Sequence, residues 1–385
     1  MSREAVLITG ARAPVAIDLA RSFRAAGYDV HLADCVTPWA ARGLRPRIPI
    51  HALPPPRSRF AAFRKAVADI VARHKITLVV PTCEEVFWLA EAAARDGYAD
   101  RLFAPAPALL RRLHSKAAFA EYAAELGLDA PQTQVLDTPV EAEALLRPLD
   151  EIVLKPEFSR FGTHTVIGPT AEQLSFIEPT PQHRWVAQQR IDGTEVCSWA
   201  AVHNGKVTAY AAYRPRWRHG KAAAFQMEAV DITAVRDVTD RLAEATGMSG
   251  HLSFDVIVTA SGQAFPIECN PRAVSGLHLF DAAPALAQAV MGKQSGLVPT
   301  TGTLRHMAPA MALLGFPAAL GDARLQAFLT DWRHGADVID RERSGLVTLG
   351  CLADAARFAW QAVKSGRSPA GATTADIEWN GEPIA

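Results

Sequence analysis

Two apolar runs, residues 252–259 and 264–268, are separated by Ala260-Ser261-Gly262-Gln263. Strand-like runs joined by a short polar loop with a glycine form a β-hairpin. That one feature forces two antiparallel neighbours, and it brings Asp255 and Glu268 within reach of each other on one face. Asn270 lies two residues beyond Glu268, so strand alternation places it on the same face. Two carboxylates and an amide oxygen form a hard oxygen cluster of the kind Mg2+ prefers, completed by phosphate oxygens and water. Arg272, two residues further, is placed to neutralise a transferring phosphoryl group. Each of these residues taken singly reads as exposed acidic surface; the four together read as a metal site.

The chain around the hairpin changes character along its length. Residues 5–9 are an apolar run ending in Gly10, and a helical pattern through Ile17, Leu19, Ala20 and Phe23 stops at Gly27. Residues 30–33 read as a second strand, 53–57 as a Pro-rich loop, 60–74 as a helix and 78–80 as a buried strand. This β-α-β order predicts a parallel sheet over residues 1–105. A helix over 115–126 opens the next unit. Strands follow at 134–136, 151–154, 185–189 and 195–202, with Asn204-Gly205 as a hairpin turn and a helix over 233–246. These elements predict a mixed, largely antiparallel domain over 106–300, with a lid over about 130–190. Residues 301–385 show one clear helix at 352–363, and they either complete the core or form a dimer contact.

Composition excludes several classes. Lys plus Arg equals Asp plus Glu at 40 each, so no long-range field draws the chain to nucleic acid or to an anionic membrane. The five cysteines are scattered without a CxxC pair, which offers neither a disulfide framework nor a zinc cluster and suits a reducing cytoplasm. Glu4 and Thr9-Gly10 interrupt any signal-peptide core, and the apolar stretch 307–320 is broken by Pro309, Gly315 and Pro317. A nucleotide-dependent oxidoreductase is suggested by the β-α-β start and by Asp34, but Ala11-Arg12-Ala13-Pro14 follows Gly10, so the GxGxxG fingerprint is missing.

Other segments offer binding groups. Lys155-Pro156 ends an apolar strand, and the polar loop after it contains Arg160, Gly162 and His164. A lysine beside a flexible loop can hold a nucleotide phosphate; alone it is a solvated strand end. Gln188-Gln189-Arg190-Ile191-Asp192-Gly193-Thr194-Glu195 ends a strand, turns and restarts, leaving backbone free to bond a purine edge. The basic run from Tyr213 to Lys221 offers Arg214 first and Lys221 second to a phosphate or carboxylate. Glu84 and Glu85 follow the strand 78–80, where open α/β sheets bind ligands, and stand ready to meet an amine. They serve equally well as acidic residues at a helix start. His278 follows the metal strand and either lines the site or packs.

In order and spacing, Lys116, Lys155-Pro156, the polar loop, the turn from Gln188 to Glu195, Asp255 and Glu268-x-Asn270-Pro271-Arg272 resemble the ATP-grasp superfamily over residues 1–300. The chain looks closest to its carboxylate–amine ligases and carbamoyl-phosphate-synthetase-like proteins. The resemblance implies an α/β (α+β) chain: a Rossmann-like pre-ATP-grasp domain, the two-lobed ATP-grasp fold, and a small C-terminal α/β extension. It implies that Lys116 and Lys155 hold phosphates, with Arg160 and Gly162 in the covering loop. It makes Gln188, Gln189, Arg190 and Ile191 the adenine hinge with Glu195 beside it, and Asp255, Glu268 and Asn270 the magnesium ligands. Arg272 then faces an acyl phosphate, with Arg214 and Lys221 as further catalytic candidates and Glu84, Glu85 and His278 on the substrate side. The implied activity is ATP- and Mg2+-dependent ligation, with Mn2+ as a substitute. A small carboxylate is activated as an acyl phosphate, ADP leaves, and an amine attacks. The alternatives are a thiol or hydroxyl acceptor, or a non-catalytic nucleotide sensor. The partners implied are small molecules, with neither nucleic acid nor membrane; a homodimer is compatible. Two departures stand out: Gly162 is the loop's single glycine, and Gln188-Gln189 replace an acidic hinge residue.

Overall fold

The computed structural model describes residues 3–384 apart from 142–143, 161, 163 and 219–223. Four short strands, β1 (Ala5–Thr9), β2 (Asp29–Asp34), β3 (Ile50–Ala52) and β4 (Ile76–Val80), form an all-parallel sheet in the order β3-β2-β1-β4. β1 is buried along its whole length, as expected of a strand covered on both faces. The helix Pro14–Ala25 covers one face, and Pro56–Arg73 with Glu85–Asp96 the other. Asp34, at the end of β2, is occupied by Arg12, whose backbone N–H and Nε donate to it at 2.7 and 2.9 Å.

A second sheet is small and antiparallel. β5 (Thr133–Leu136), β6 (Ile152–Pro156), β7 (Val166–Ile167) and β8 (Trp185–Gln189) run in the order β5-β8-β6-β7. They close over a minor core that includes Leu136, Ile152, Leu154 and Ala187.

The third sheet has seven strands: β9 (Thr194–His203), β10 (Lys206–Trp217), β11 (Gln226–Val230), β12 (Gly250–Val258), β13 (Ala264–Asn270), β14 (Leu304–His306) and β15 (Ala336–Asp337). Their order is β13-β12-β9-β10-β11-β14-β15. The β9–β10 turn has Asn204 at φ 48° and Gly205 at φ 76°, the pair of positive angles a tight two-residue hairpin requires. β9 lies between two cores. Cys197, Trp199 and Ala201 face the parallel-sheet domain, whereas Val196, Ala200 and Val202 face the helices Lys116–Glu125 and Thr233–Thr246.

Residues 301–384 complete the core. β14 and β15 extend the large sheet, and the helix Leu346–Ser365 is longer than its sequence pattern suggests. Asp354 of that helix accepts hydrogen bonds from the Trp39 and Ala40 N–H groups at 3.2 and 2.9 Å. The chain then returns to the parallel sheet, where Trp379 stacks on Phe87 with ring centroids 4.7 Å apart. Trp88 Nε1 donates to the Ile377 carbonyl at 2.9 Å, and Arg12 Nη1 reaches Asp376 at 2.6 Å. All five cysteines are free. No helix among the described residues is long and apolar enough to cross a membrane.

Candidate active site

The hairpin places Asp255 directly opposite Glu268, and Ser253 opposite Asn270. Phe254 and Cys269 point the other way, into the core beneath, which holds the register. β9 runs along the other side of β12, setting Cys197 beside Asp255 and Glu195 beside Ile257. Asp255, Glu268, Cys197 and Glu195 therefore share a face. Burial, then Glu268 and Glu195, push the Asp255 carboxyl up to about 6; the Cys197 thiol and Arg272 pull the other way. Lys116 Nζ stands 3.6 Å from Glu268 Oε2, and Arg218 grips Glu195 with two hydrogen bonds of 2.8 and 2.6 Å. Asn270 Oδ1 accepts from Arg272 Nη2 at 3.0 Å. Carboxylates held face to face at this cost fit a divalent cation with oxygen preference.

Two lysines arrive from different elements. Lys116 opens the helix Lys116–Glu125, whose N-cap Ser115 Oγ accepts from the Ala118 N–H at 3.1 Å. It is 1% exposed and also donates to the Glu157 and Ser159 carbonyls at 3.4 and 3.3 Å. Lys155 is 4% exposed on β6, and its Nζ donates to the Ile267 carbonyl of β13 at 3.3 Å. Burial and the charge of Lys116 lower its pKa to about 8, against the pull of Glu268 and Asp255. Both ammonium groups thus meet on the strand carrying Glu268.

Glu84, at the carboxyl end of the parallel sheet, bridges two arginines. Arg160 Nε donates to Glu84 Oε2 at 2.8 Å, and Arg160 Nη2 to Asn380 Oδ1 at 2.8 Å. Arg272 Nε lies 3.9 Å from Glu84 Oε1, too long for a hydrogen bond. In this arrangement Arg160 is held by Glu84 and by the chain's tail. Gly162 adopts φ 59°; Phe161 and Thr163 on either side lie outside the described residues.

The turn after β8 is wedged against β12. A Cβ on Gly193 would come within 2.4 Å of the Val258 carbonyl oxygen, so only glycine fits. Gln188 is buried, its Nε2 donating to Thr133 Oγ1 at 3.2 Å. The backbone N–H groups of Gln189 and Arg190 are taken by the Gln132 and Glu151 carbonyls, both at 2.7 Å, so at these two residues the N–H expected to be free for a purine edge is already paired. Ile191 is half-buried, and Arg190 extends to Asp192 at 3.3 Å.

Several candidates are placed elsewhere. Arg214 follows Tyr213, which pairs with Cys197 on the carboxylate face; alternation turns Arg214 to the opposite face, where it is exposed and opposite Glu228. Lys221 lies outside the described residues. Glu85 Oε1 accepts from Thr9 Oγ1, the Thr82 N–H and the Cys83 N–H at 2.7, 3.0 and 3.3 Å, so it ties the ends of β1 and β4 together. His278 is fully buried with its Nδ1 2.8 Å from Asp18, a packing position and not a substrate contact. Sequence reasoning passed over Arg218, although it lies in the basic run already singled out. It also passed over Glu157, whose side chain holds Ser115 Oγ and Arg184, and over the tail residues Glu378 and Asn380.

A cavity of about 1630 Å3 is lined by Arg111, Glu157, Arg160, Arg184, Glu378 and Asn380 among others, and does not include Asp255, Glu268 or Asn270. It shares the segment 156–160 with the lysine cluster.

By sequence, the chain matches no family model and no curated protein. By structure it is similar to an L-amino acid ligase from Bacillus licheniformis, with TM-score 0.55, 16% identity and 75% of each chain covered. It is similar to N5-carboxyaminoimidazole synthetase from Staphylococcus aureus complexed with ADP, with TM-score 0.61 and 12% identity over 81% of this chain and 84% of that one. It is also similar to the biotin carboxylase domain of Hydrogenobacter thermophilus 2-oxoglutarate carboxylase in complex with MgADP, ADP and bicarbonate. There the TM-score is 0.59 and the identity 11%, over 80% of this chain and 75% of that one. Identities this low speak to architecture, and three such likenesses over most of the chain agree with one another: this protein has the ATP-grasp fold.

Proposed function

We propose that this chain is an ATP- and Mg2+-dependent ligase that activates a small carboxylate as an acyl phosphate, releases ADP, and passes the acyl group to an amine. The observation that carries this reading is the Asp255–Glu268 cross-strand pair with Lys116 and Lys155 converging on it. The names of the similar structures, a ligase and a synthetase among them, support the class of reaction.

Asp255, Glu268 and Asn270 would hold the magnesium, for which Mn2+ could substitute. Lys116 and Lys155 would hold phosphate oxygens, the segment 188–191 the adenine, and Glu195, steadied by Arg218, its ribose side. Bound Mg-ATP supplies an electrophilic γ-phosphorus with its charge already shared. A carboxylate oxygen of the substrate bonds to that phosphorus as the bridging oxygen leaves with ADP. The amine nitrogen then bonds to the acyl carbon, phosphate leaves, and the nitrogen gives up a proton. Arg272, tethered to Asn270, would neutralise the charge of the acyl phosphate. Positioning and charge neutralisation are the protein's contribution, with no nucleophilic side chain required.

A phosphate-release screen over amino acids and small carboxylic acids tests this, with products read by phosphorus NMR. ADP and phosphate are expected. AMP and pyrophosphate would show adenylation instead, and calorimetry without ATP binding in the presence of Mg2+ would remove the nucleotide site altogether.

A further inference from the structure

Three histidines from three elements meet on the parallel sheet, and none of them belongs to the proposed ligase site. His31 is on β2, His51 is on β3, and His74 is the C-cap of the helix Pro56–Arg73. The sheet register explains the meeting. Ala33 pairs with His51, so His31, two residues earlier on the same face, is a diagonal neighbour. The end of the helix then sets the third ring beside the other two. Ring centroids lie 5.2, 4.4 and 4.9 Å apart for the pairs 31–51, 31–74 and 51–74.

The nitrogens converge as well as the rings. His31 Nδ1 lies 3.0 Å from His51 Nε2, and one ligand nitrogen from each of the three falls within 4.8 Å of the others. A tetrahedral zinc ion at about 2.0–2.1 Å from each nitrogen spaces them about 3.3 Å apart, so small side-chain rotations close the site. Behind His31, Asp29 Oδ2 lies 3.5 Å from Nε2. A carboxylate on the far nitrogen favours the tautomer that leaves Nδ1 with its lone pair, as carboxylates behind metal-bound histidines do. His31 is buried while His51 and His74 are half-buried, which anchors one ligand and leaves an open side for water. Burial lowers the pKa of His31 against the pull of Asp29, and burial with His31, His74 and Arg73 lowers that of His51. Arg73 opposes a cation, and Asp29 offsets it.

We propose that His31, His51 and His74 form a binding site for a divalent transition ion, Zn2+ foremost, distinct from the carboxylate cluster at Asp255. Imidazole ligands select such ions over the Mg2+ that an all-oxygen site prefers. A bound ion would pin β2, β3 and the end of the helix Pro56–Arg73 together.

The test uses the full-length, untagged, metal-stripped protein in excess Mg2+, titrated with Zn2+ by calorimetry and with Co2+ by visible absorption. One tight Zn2+ per chain is expected, together with ligand-field bands for Co2+. The double variant His51→Asn/His74→Asn should lose that Zn2+ while keeping its far-UV circular dichroism and Mg-ATP binding. The milder Asp29→Asn should weaken Zn2+ about tenfold. Equal Zn2+ uptake by the wild type and a folded double variant, or no uptake by the wild type, overturns the assignment. If the double variant does not fold, single His74→Gln carries the same comparison: undiminished affinity there overturns it equally.

Discussion

Asp255 and Asp18 are both aspartates withdrawn from bulk water, and the chain treats them in opposite ways. Asp18 is closed off: His278 Nδ1 lies 2.8 Å away, and Arg21 and Arg341 donate to it at 3.0 Å. Burial alone would raise its pKa, yet the His278 contact and Arg341 hold it well below the usual carboxylate range. Asp255 instead faces Glu268 with Glu195 nearby, and is pushed up to about 6. Charge is neutralised where the fold needs only a clamp between residues 18, 278 and 341. At the hairpin, by contrast, one carboxylate is left facing another, the pattern that a cation-binding site would require.

If the hairpin is the place where excess charge serves chemistry, Glu268→Gln should lower turnover the most, by about 10³-fold, with an unchanged circular dichroism spectrum. A variant with near-normal phosphate release would break the comparison at its functional end. Asp18→Asn tests the other end. Removing one partner of a buried ion network costs about 3 kcal/mol or more, so its Tm should fall while kcat per folded molecule stays near normal.

Asp255→Asn separates the two more finely. Removing a repelled carboxylate should raise the stability of the Mg2+-free protein by on the order of 1 kcal/mol, while Mg2+ ceases to stabilise it. The pH dependence has opposite signs at the two sites. The folded state takes up a proton at Asp255 before the unfolded chain does, so the wild type gains stability there as pH falls from 7 towards 4. The advantage of Asp255→Asn should shrink over that interval. Asp18, with its lowered pKa, stabilises the fold above the ordinary aspartate value of 3.8 and loses that contribution as pH falls below it. The deficit of Asp18→Asn should close only there. Urea titrations of both variants across pH check this pair of trends. The smallest effect belongs to Arg214→Ala, which should leave kcat/KM within about twofold of the wild type; a larger loss would put Arg214 back beside the carboxylates.

The candidate site was legible to the extent that it is local. Asp255 opposite Glu268 follows from a short loop between two alternating strands, and Asn204-Gly205 marks the β9–β10 turn by the angles those residues tolerate. Arg214 was misplaced because the facing of a strand residue depends on register with β9, which nothing within residues 206–217 announces. Arg218, Glu157 and Asn380 were missed because each finds its partner through distant chain.

By itself, the sequence determined the change from parallel to antiparallel architecture, the acidic hairpin, and two lysines upstream of it. Periodicity and turn chemistry act over a few residues, so they can be read from the chain directly. Only the tertiary structure decided that Glu84 sits between Arg160 and Arg272, that Asp376, Glu378 and Trp379 return to the first sheet, and that His31, His51 and His74 meet. Those contacts are set by how separate elements dock, and docking follows from the burial of whole faces, not from the identity of the residues that meet at their edges.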